Sequence, residues 1–215
     1  CVLQNKKILC NLVLDEMSIK KYIEWTGSCF CGYVNFGCDS LPQAKEVLVF
    51  MLVALNDYWK IPVGYFFLDG LNSSEKSNLV QQCLHFLSEV DITITSLTFD
   101  GAPTNISMAN ILGANLDDPK KLLTRFTHNV TGRPIFIYLD PCHMLKLIRN
   151  CLASKGQLTN SNGEEILWEF FEKLVDFQVT EGLHAGTKIK KRHIQWAQEK
   201  MKVKIAAQTF SNSVA

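Results

Sequence analysis

Three aspartates share one setting in this 215-residue chain. Asp15 follows the apolar run 8–14, Asp100 follows 92–99, and Asp140 follows 134–139. Each is expected to stand where a buried strand runs out. A sheet fixes the backbone at such a point while the side chain reaches a cleft, so functional groups collect there. Two carboxylates from neighbouring strands can share Mg²⁺ ions for metal-assisted phosphoryl transfer: one ion activates a water or a 3′-hydroxyl, the other stabilises the leaving oxygen. Mg²⁺ keeps several of its waters, so few protein carboxylates are needed. Aspartate is also a common helix N-cap. Asp140 precedes Pro141, the arrangement of a cap with proline at the first helical position. The pattern alone leaves both roles open for each acid.

The elements that must position these acids can be read from hydrophobic spacing. Strands are expected over 8–14, 30–36, 62–68, 92–99 and 134–139. The run 47–55 is a strand or a buried helix. Asp69-Gly70 marks a turn. Ser73-Ser74-Glu75 opens a helix on which Leu79, Cys83, Leu87 and Val90 recur at three- and four-residue steps. A short helix is expected over 105–112. Beyond residue 142 the strand signal stops, and three helices are expected, over 143–153, 164–177 and 191–210. Leu167, Phe170, Phe171 and Leu174 would form the apolar stripe of the second. The chain therefore reads as an α/β part, 1–142, followed by an all-helical part, 143–215.

Composition narrows the class. Nearly half of the residues are hydrophobic, and the formal charge is only +1, so global charge announces no nucleic-acid partner. Charge is local instead: 188–204 holds seven Lys or Arg and one acid, Glu199. This segment reads as a basic helix with Trp196, Val203 and Ile205 on its apolar side, either a solvated face or a surface for a DNA backbone or a nucleotide. The eight cysteines, Cys1, Cys10, Cys29, Cys31, Cys38, Cys83, Cys142 and Cys151, lack zinc-finger spacing; buried free thiols in a reducing compartment are expected. The longest apolar run, 47–55, is about half a membrane span, so no membrane partner is expected. No signal peptide is visible, and the abrupt start and end read as those of a fragment.

The phrases LVLDEMSIKK (12–21), KIPVGYFFLDG (60–70), SLTFDGAPTN (96–105), YLDPCHMLKLIRN (138–150) and KMKVKIAAQTFSNSVA (200–215) resemble the THAP-domain-containing, P-element-like DNA transposases. The resemblance covers nearly the whole chain. It is most specific in the run Asp140, Pro141, His143, Lys146, Arg149 and Asn150. It implies a ribonuclease-H-like mixed sheet with flanking helices over 1–142, then the start of a helical GTP-binding insertion domain over 143–215. It implies an Asp-Asp-Glu triad whose first two acids are Asp15 and Asp100, both metal ligands for Mg²⁺, with the glutamate beyond residue 215. Asp140 becomes a secondary acid or a helix cap. The implied partners are DNA, both transposon ends and target, with a homo-oligomer and a nuclear location. The Cys and His ligands of the family's amino-terminal zinc module are not found in the chain.

On the helix after Asp140, His143, Lys146 and Asn150 share a face. With Arg149 they are candidates for DNA-phosphate contacts, against an ordinary solvated face; His143 is rather a capping or core histidine than a metal ligand. Lys202 and Val203 are candidate nucleotide contacts by resemblance, and no Walker motif occurs. Glu16, beside Asp15, points to the opposite face of a strand and is expected to be a solvated turn residue. Beside the transposase reading stands a domesticated, non-cleaving DNA-binding or interaction protein that keeps the fold. A third reading is a GTP-binding regulatory module.

Overall fold

Alternation of apolar and polar residues along 9–18 produces one long strand. In the computed structural model, which describes residues 7–35, 42–182 and 188–214, β1 spans Leu9–Ser18, with Cys10, Leu12 and Leu14 buried. The expected strand end at Asp15 is corrected: the antiparallel strand 46–54 pairs with β1 from Cys10 to its end, with Asp15 against Val49 and Ser18 against Glu46. The strand expected over 30–36 shrinks to β3 (Phe30–Cys31), paired with β2 (Glu24–Trp25). Cys1, Cys38 and the end of that expected strand lie outside the described residues. The run at 47–55 is a strand, β4 (Glu46–Ala54).

The elements continue as β5 (Lys60–Leu68), α1 (Ser73–Glu89), β6 (Thr93–Phe99), α2 (Pro103–Ile111), β7 (Arg125–Thr127) and β8 (Pro134–Leu139). The short edge strand β7 carried no signal in the sequence. The main sheet has the order β5-β4-β1-β6-β8-β7. Strands β5, β4 and β1 run antiparallel, whereas β1, β6 and β8 run parallel. A short turn, 55–59, joins β4 to β5, whereas the link from β1 to β4, 19–45, carries the β2–β3 hairpin. The parallel strands need crossovers, which α1 and α2 provide. This is the mixed sheet with flanking helices that the sequence led us to expect.

Helix α1 starts where the sequence says it should. Asn72 accepts from the Glu75 N–H and Glu75 returns the bond to the Asn72 N–H, each at 2.9 Å, a reciprocal cap. Its buried side, Leu79, Val80, Leu84 and Leu87, packs with Met108 and Ala109 of α2 against Leu12, Leu48, Phe50, Leu97, Phe99 and Ile135 of the sheet. Each such large side chain contributes roughly 1.5–3 kcal/mol on burial. Val90, expected on this stripe, is exposed. The sheet's opposite face, to which Val13, Asp15 and Met17 belong by alternation, keeps Met17, Tyr65, Phe136 and Tyr138 exposed.

The chain divides into two compact units, Cys1–Leu139 and Asp140–Ala215. The second contains α3 (Pro141–Lys155), β9 (Gln157–Thr159), β10 (Glu165–Leu167), α4 (Glu169–Glu181), α5 (Lys191–Ile194), a 3₁₀ turn (Trp196–Gln198) and α6 (Val203–Thr209). It is not all-helical. Strands β9 and β10 form a hairpin closed at Asn160, whose side chain accepts from the Asn162 and Glu164 N–H groups at 2.9 and 3.0 Å. Gly163 supplies the positive φ of 84° that this turn requires. The helix expected from 164 therefore starts at Glu169, and its buried line is Trp168, Val175 and Gln178; Phe170 is exposed.

The long basic helix is also corrected. Residues 191–210 break into α5, the 3₁₀ turn and α6. Arg149 takes the carbonyls of Glu199 (2.8 Å) and Lys200 (3.3 Å), so these groups leave the helical ladder. Of the described cysteines only Cys10 is fully buried; Cys29, Cys31, Cys142 and Cys151 are exposed, against the expectation of buried thiols. No helix among the described residues is long and apolar enough to cross a membrane.

Candidate functional site

Strand register decides which acids meet. Val13 of β1 lies beside Thr98 of the parallel β6. Two residues beyond this pair come Asp15, still within β1, and Asp100, just past the end of β6. Strand β6 stops at Phe99 while β1 continues to Ser18, so the flank of β1 at Asp15 opens toward the point where the chain leaves the sheet at Asp100. Asp15 is exposed and Asp100 half-buried.

Each carboxylate is held through one oxygen. Asp15 Oδ1 accepts from the Glu16 N–H at 3.0 Å. Asp100 Oδ1 accepts from the Ala102 N–H at 3.0 Å and from the Asn105 side-chain amide at 2.7 Å. No hydrogen bond from the described residues reaches Oδ2 of either acid. Below them on β1 and β6 lies a polar cluster that the sequence reading passed over: Asn11 Oδ1 accepts from Ser96 (2.9 Å) and Thr98 (3.2 Å), and Asn11 Nδ2 donates to Thr98 (3.1 Å). The Ser-x-Thr alternation of 96–98 was the available signal.

Glu16 is not a solvated turn residue. It points to the helix side of the sheet and meets the ammonium of Lys76 at 2.6 Å. Lys76 is 3% exposed and also donates to Thr104 and Asn105, both at 3.1 Å. A polar chain thus runs from Glu16 through Lys76 and Asn105 to Asp100.

The described residues hold no group of three or more His, Cys, Asp or Glu able to bind a metal. The donor set at this site is a pair of aspartates with free second oxygens. That set fits Mg²⁺, a hard ion that takes one or two carboxylates, substrate phosphate oxygens and waters.

In the second unit, Asp140 is the N-cap of α3. It accepts from the Cys142 and His143 N–H groups at 3.0 and 3.2 Å, and its Oδ2 lies 2.8 Å from His143 Nδ1. Burial pushes the Asp140 carboxyl up, but the His143 side chain and the two backbone N–H groups outweigh it and hold the group below its ordinary value.

The polar face expected on α3 is turned inward. Lys146 and Arg149 are 7% and 0% exposed, whereas Leu147 and Ile148 are half exposed. Asn150 donates to the Lys200 carbonyl at 3.3 Å. Burial removes Lys146 and Arg149 from any phosphate-contacting surface; Arg149 instead ties α3 to the segment around Glu199. Burial lowers the Arg149 guanidinium from its ordinary value, opposed by the nearby Glu199 charge. Arg192 and Lys202 are not free charges either: they flank Glu199 at 2.5 and 2.8 Å. Lys202 and Val203 line a cavity of about 490 Å³ with Lys188, Lys190, Arg192 and Gln208.

Comparison with known proteins agrees with the fold. A family model described as TNP-like, RNase H N-terminal domain matches residues 2–113, and one described as TNP-like, GTP-binding insertion domain matches residues 142–215. The chain is 28% identical over 213 residues to DNA transposase THAP9 of Homo sapiens, covering 96% of this chain and 23% of that protein. It is 26% identical over 210 residues to the Transposable element P transposase of Drosophila melanogaster, covering 96% of this chain and 25% of that protein. It therefore spans about a quarter of the length of these curated relatives. Among solved structures, the Drosophila P element transposase strand transfer complex matches with a TM-score of 0.75 at 24% identity, over 96% of this chain and 43% of that one. That likeness establishes the fold.

Proposed function

The chain belongs to the TNP-like, P-element-like transposase family, and from that membership we propose that Asp15 and Asp100 are the Mg²⁺-binding carboxylates of a DNA-cleaving and DNA-joining centre. The observation that supports this reading is the parallel pairing of Val13 with Thr98, two residues ahead of each acid, together with carboxylates that each have one oxygen held and the other without a hydrogen bond from the described residues. When bound, Mg²⁺ supplies Lewis-acid stabilisation of charge at the reacting phosphate. The chain's own contribution is positional. The sheet fixes the backbone at Asp15 and leads up to Asp100, and the Ala102 N–H and Asn105 amide hold Asp100 Oδ1, leaving Oδ2 without a hydrogen bond from the described residues. Glu16 is engaged with Lys76, so the third carboxylate of the centre comes from another part of the full-length protein.

Asp140 is a helix cap in this reading and takes no part in the chemistry. Of the four α3 candidates for DNA contact, His143 and Asn150 keep partial exposure and remain for that role. DNA, as transposon end and as target, is the proposed partner, with action in the nucleus and assembly as a homo-oligomer. The second unit is proposed to bind a guanine nucleotide, with Lys202 and Val203 at the basic cavity as contacts. Five cations line that cavity, Lys188, Lys190, Arg192, Lys202 and Lys204, a surface suited to phosphate groups.

The deciding experiment replaces Asp100 with Ala in the full-length protein and measures Mg²⁺-dependent cleavage of a transposon-end duplex. Loss of cleavage by about 10²-fold or more is expected. Unchanged cleavage sinks the reading and leaves a DNA-binding protein that has kept the fold.

A further inference from the structure

Lys76 sits where a lysine is electrostatically unwelcome. It lies in the first turn of α1, at the positive end of the helix dipole, where cations are disfavoured. It is 3% exposed, so its ammonium has also left bulk water. The core side of a helix would ordinarily take an apolar residue here. What the lysine does in exchange is local: its ammonium donates to Thr104 Oγ1 (3.1 Å) and Asn105 Oδ1 (3.1 Å) and pairs with the Glu16 carboxylate (2.6 Å).

The contact with Asn105 sets an orientation. An ammonium has no acceptor, so it takes the oxygen end of the Asn105 amide. The nitrogen end must then point the other way, and it donates to Asp100 Oδ1 at 2.7 Å. A carboxylate only accepts, so both ends of the amide are fixed by chemistry rather than by chance. With Oδ1 occupied twice, by Asn105 and by the Ala102 N–H, Asp100 has one defined oxygen left. The same lysine holds Glu16, the immediate neighbour of Asp15, to the helix side of the sheet, which keeps Asp15 on the other.

We propose that Lys76 and Asn105 are positioning residues for the metal site: the buried ammonium orients the Asn105 amide, which presents Asp100 Oδ2 to a divalent cation, while its pairing with Glu16 fixes the β1 segment that carries Asp15. This rests on the reading of Asp15 and Asp100 as metal ligands. Partners that orient a ligand in this way are typically worth about 10–100-fold in metal affinity.

The test titrates Mn²⁺ into the full chain and follows loss of the free-ion signal by electron paramagnetic resonance, with no DNA and no turnover. Asp100→Asn is the control for the parent reading; if it binds Mn²⁺ as the unmodified chain does, that reading fails, and this proposal with it. Given a responsive control, Lys76→Met combined with Glu16→Gln, which leaves no lone buried charge, is expected to weaken Mn²⁺ about tenfold. A melting temperature close to that of the unmodified chain shows that the fold is kept. Lys76→Arg, which restores a cationic donor, is expected to recover part of the loss. Unchanged affinity in the folded double variant overturns the proposal. Should the double variant not fold, Asn105→Ala leaves Lys76 and Glu16 paired and is read by the same titration: a loss of about tenfold supports the relay, and unchanged affinity overturns it.

Discussion

Arg149, fully buried on α3, donates to the backbone carbonyl of Glu199 at 2.8 Å, and the side chain of that same Glu199 clamps Arg192 and Lys202. One residue thus joins three parts of the second unit: its carbonyl anchors α3, and its carboxylate holds the start of α5 and the cap of α6. The basic stretch of the sequence is built around this one acid.

Replacing Arg149 with Met is expected to destabilise the second unit by about 2 kcal/mol, because the carbonyls of Glu199 and Lys200 lose a charged donor and keep only the Lys202 N–H and the Asn150 amide. Calorimetry of the full chain checks this, with a transition lowered by roughly 6 °C or more. The salt dependence of DNA binding by the complete protein is expected to stay unchanged, since a buried guanidinium neutralises no phosphate.

The Glu199 clamp has a pH signature. The hydrogen bonds and charges of Arg192 and Lys202 hold the Glu199 carboxyl down at about 2, against an ordinary value of 4.5. A depressed carboxylate contributes stability above its unfolded value and loses it as pH falls through the folded one. The contribution is therefore complete at neutral pH and disappears between about pH 4.5 and 2. Melting curves of the native chain and Glu199→Gln are expected to differ at pH 7 and to converge toward pH 2.

Removing Glu16 strands a buried ammonium. Glu16→Ala leaves Lys76, at 3% exposure, with hydroxyl and amide partners but no counter-charge. A loss of about 3 kcal/mol in chemical denaturation is expected, at the low end for a broken buried pair because Glu16 itself is partly exposed. Glu16→Ala with Lys76→Met is expected to recover most of it.

Asp140→Ala removes three acceptor contacts from the start of α3 and is expected to cost about 1 kcal/mol. Cleavage by the full-length protein is expected to persist, because a cap can be lost without touching the chemistry. Abolished cleavage with an intact fold would move Asp140 into the catalytic set.

Strand positions were legible because the core runs are apolar and short: 134–139 matched residue for residue, and the run at 92–99 lost only its first residue. The N-terminus of α1 was legible because its cap is local chemistry, Asn72 with Glu75. The hairpin at Asn160–Gly163 was also written in the sequence, as a turn between two short β-capable segments, but the helical pattern of the flanking residues masked it. Burial of the α3 lysine and arginine was not legible. Both residue types are normally exposed, and for Arg149 only its partner carbonyl, fifty positions away, reveals why it turns inward.

The sequence by itself determined the class of the fold, because alternation, capping and apolar runs are properties of neighbours along the chain, and it offered three candidate acids, of which the family resemblance singled out Asp15 and Asp100. Tertiary structure alone decided that Asp15 lies inside a strand rather than at its end, that the strand leading to Asp100 runs parallel beside it, and that Glu16 belongs to Lys76. Those facts depend on the parallel register of β1 with β6 and on a helix packed across the sheet. Such relations join residues some 60 to 87 positions apart, and no local pattern encodes them.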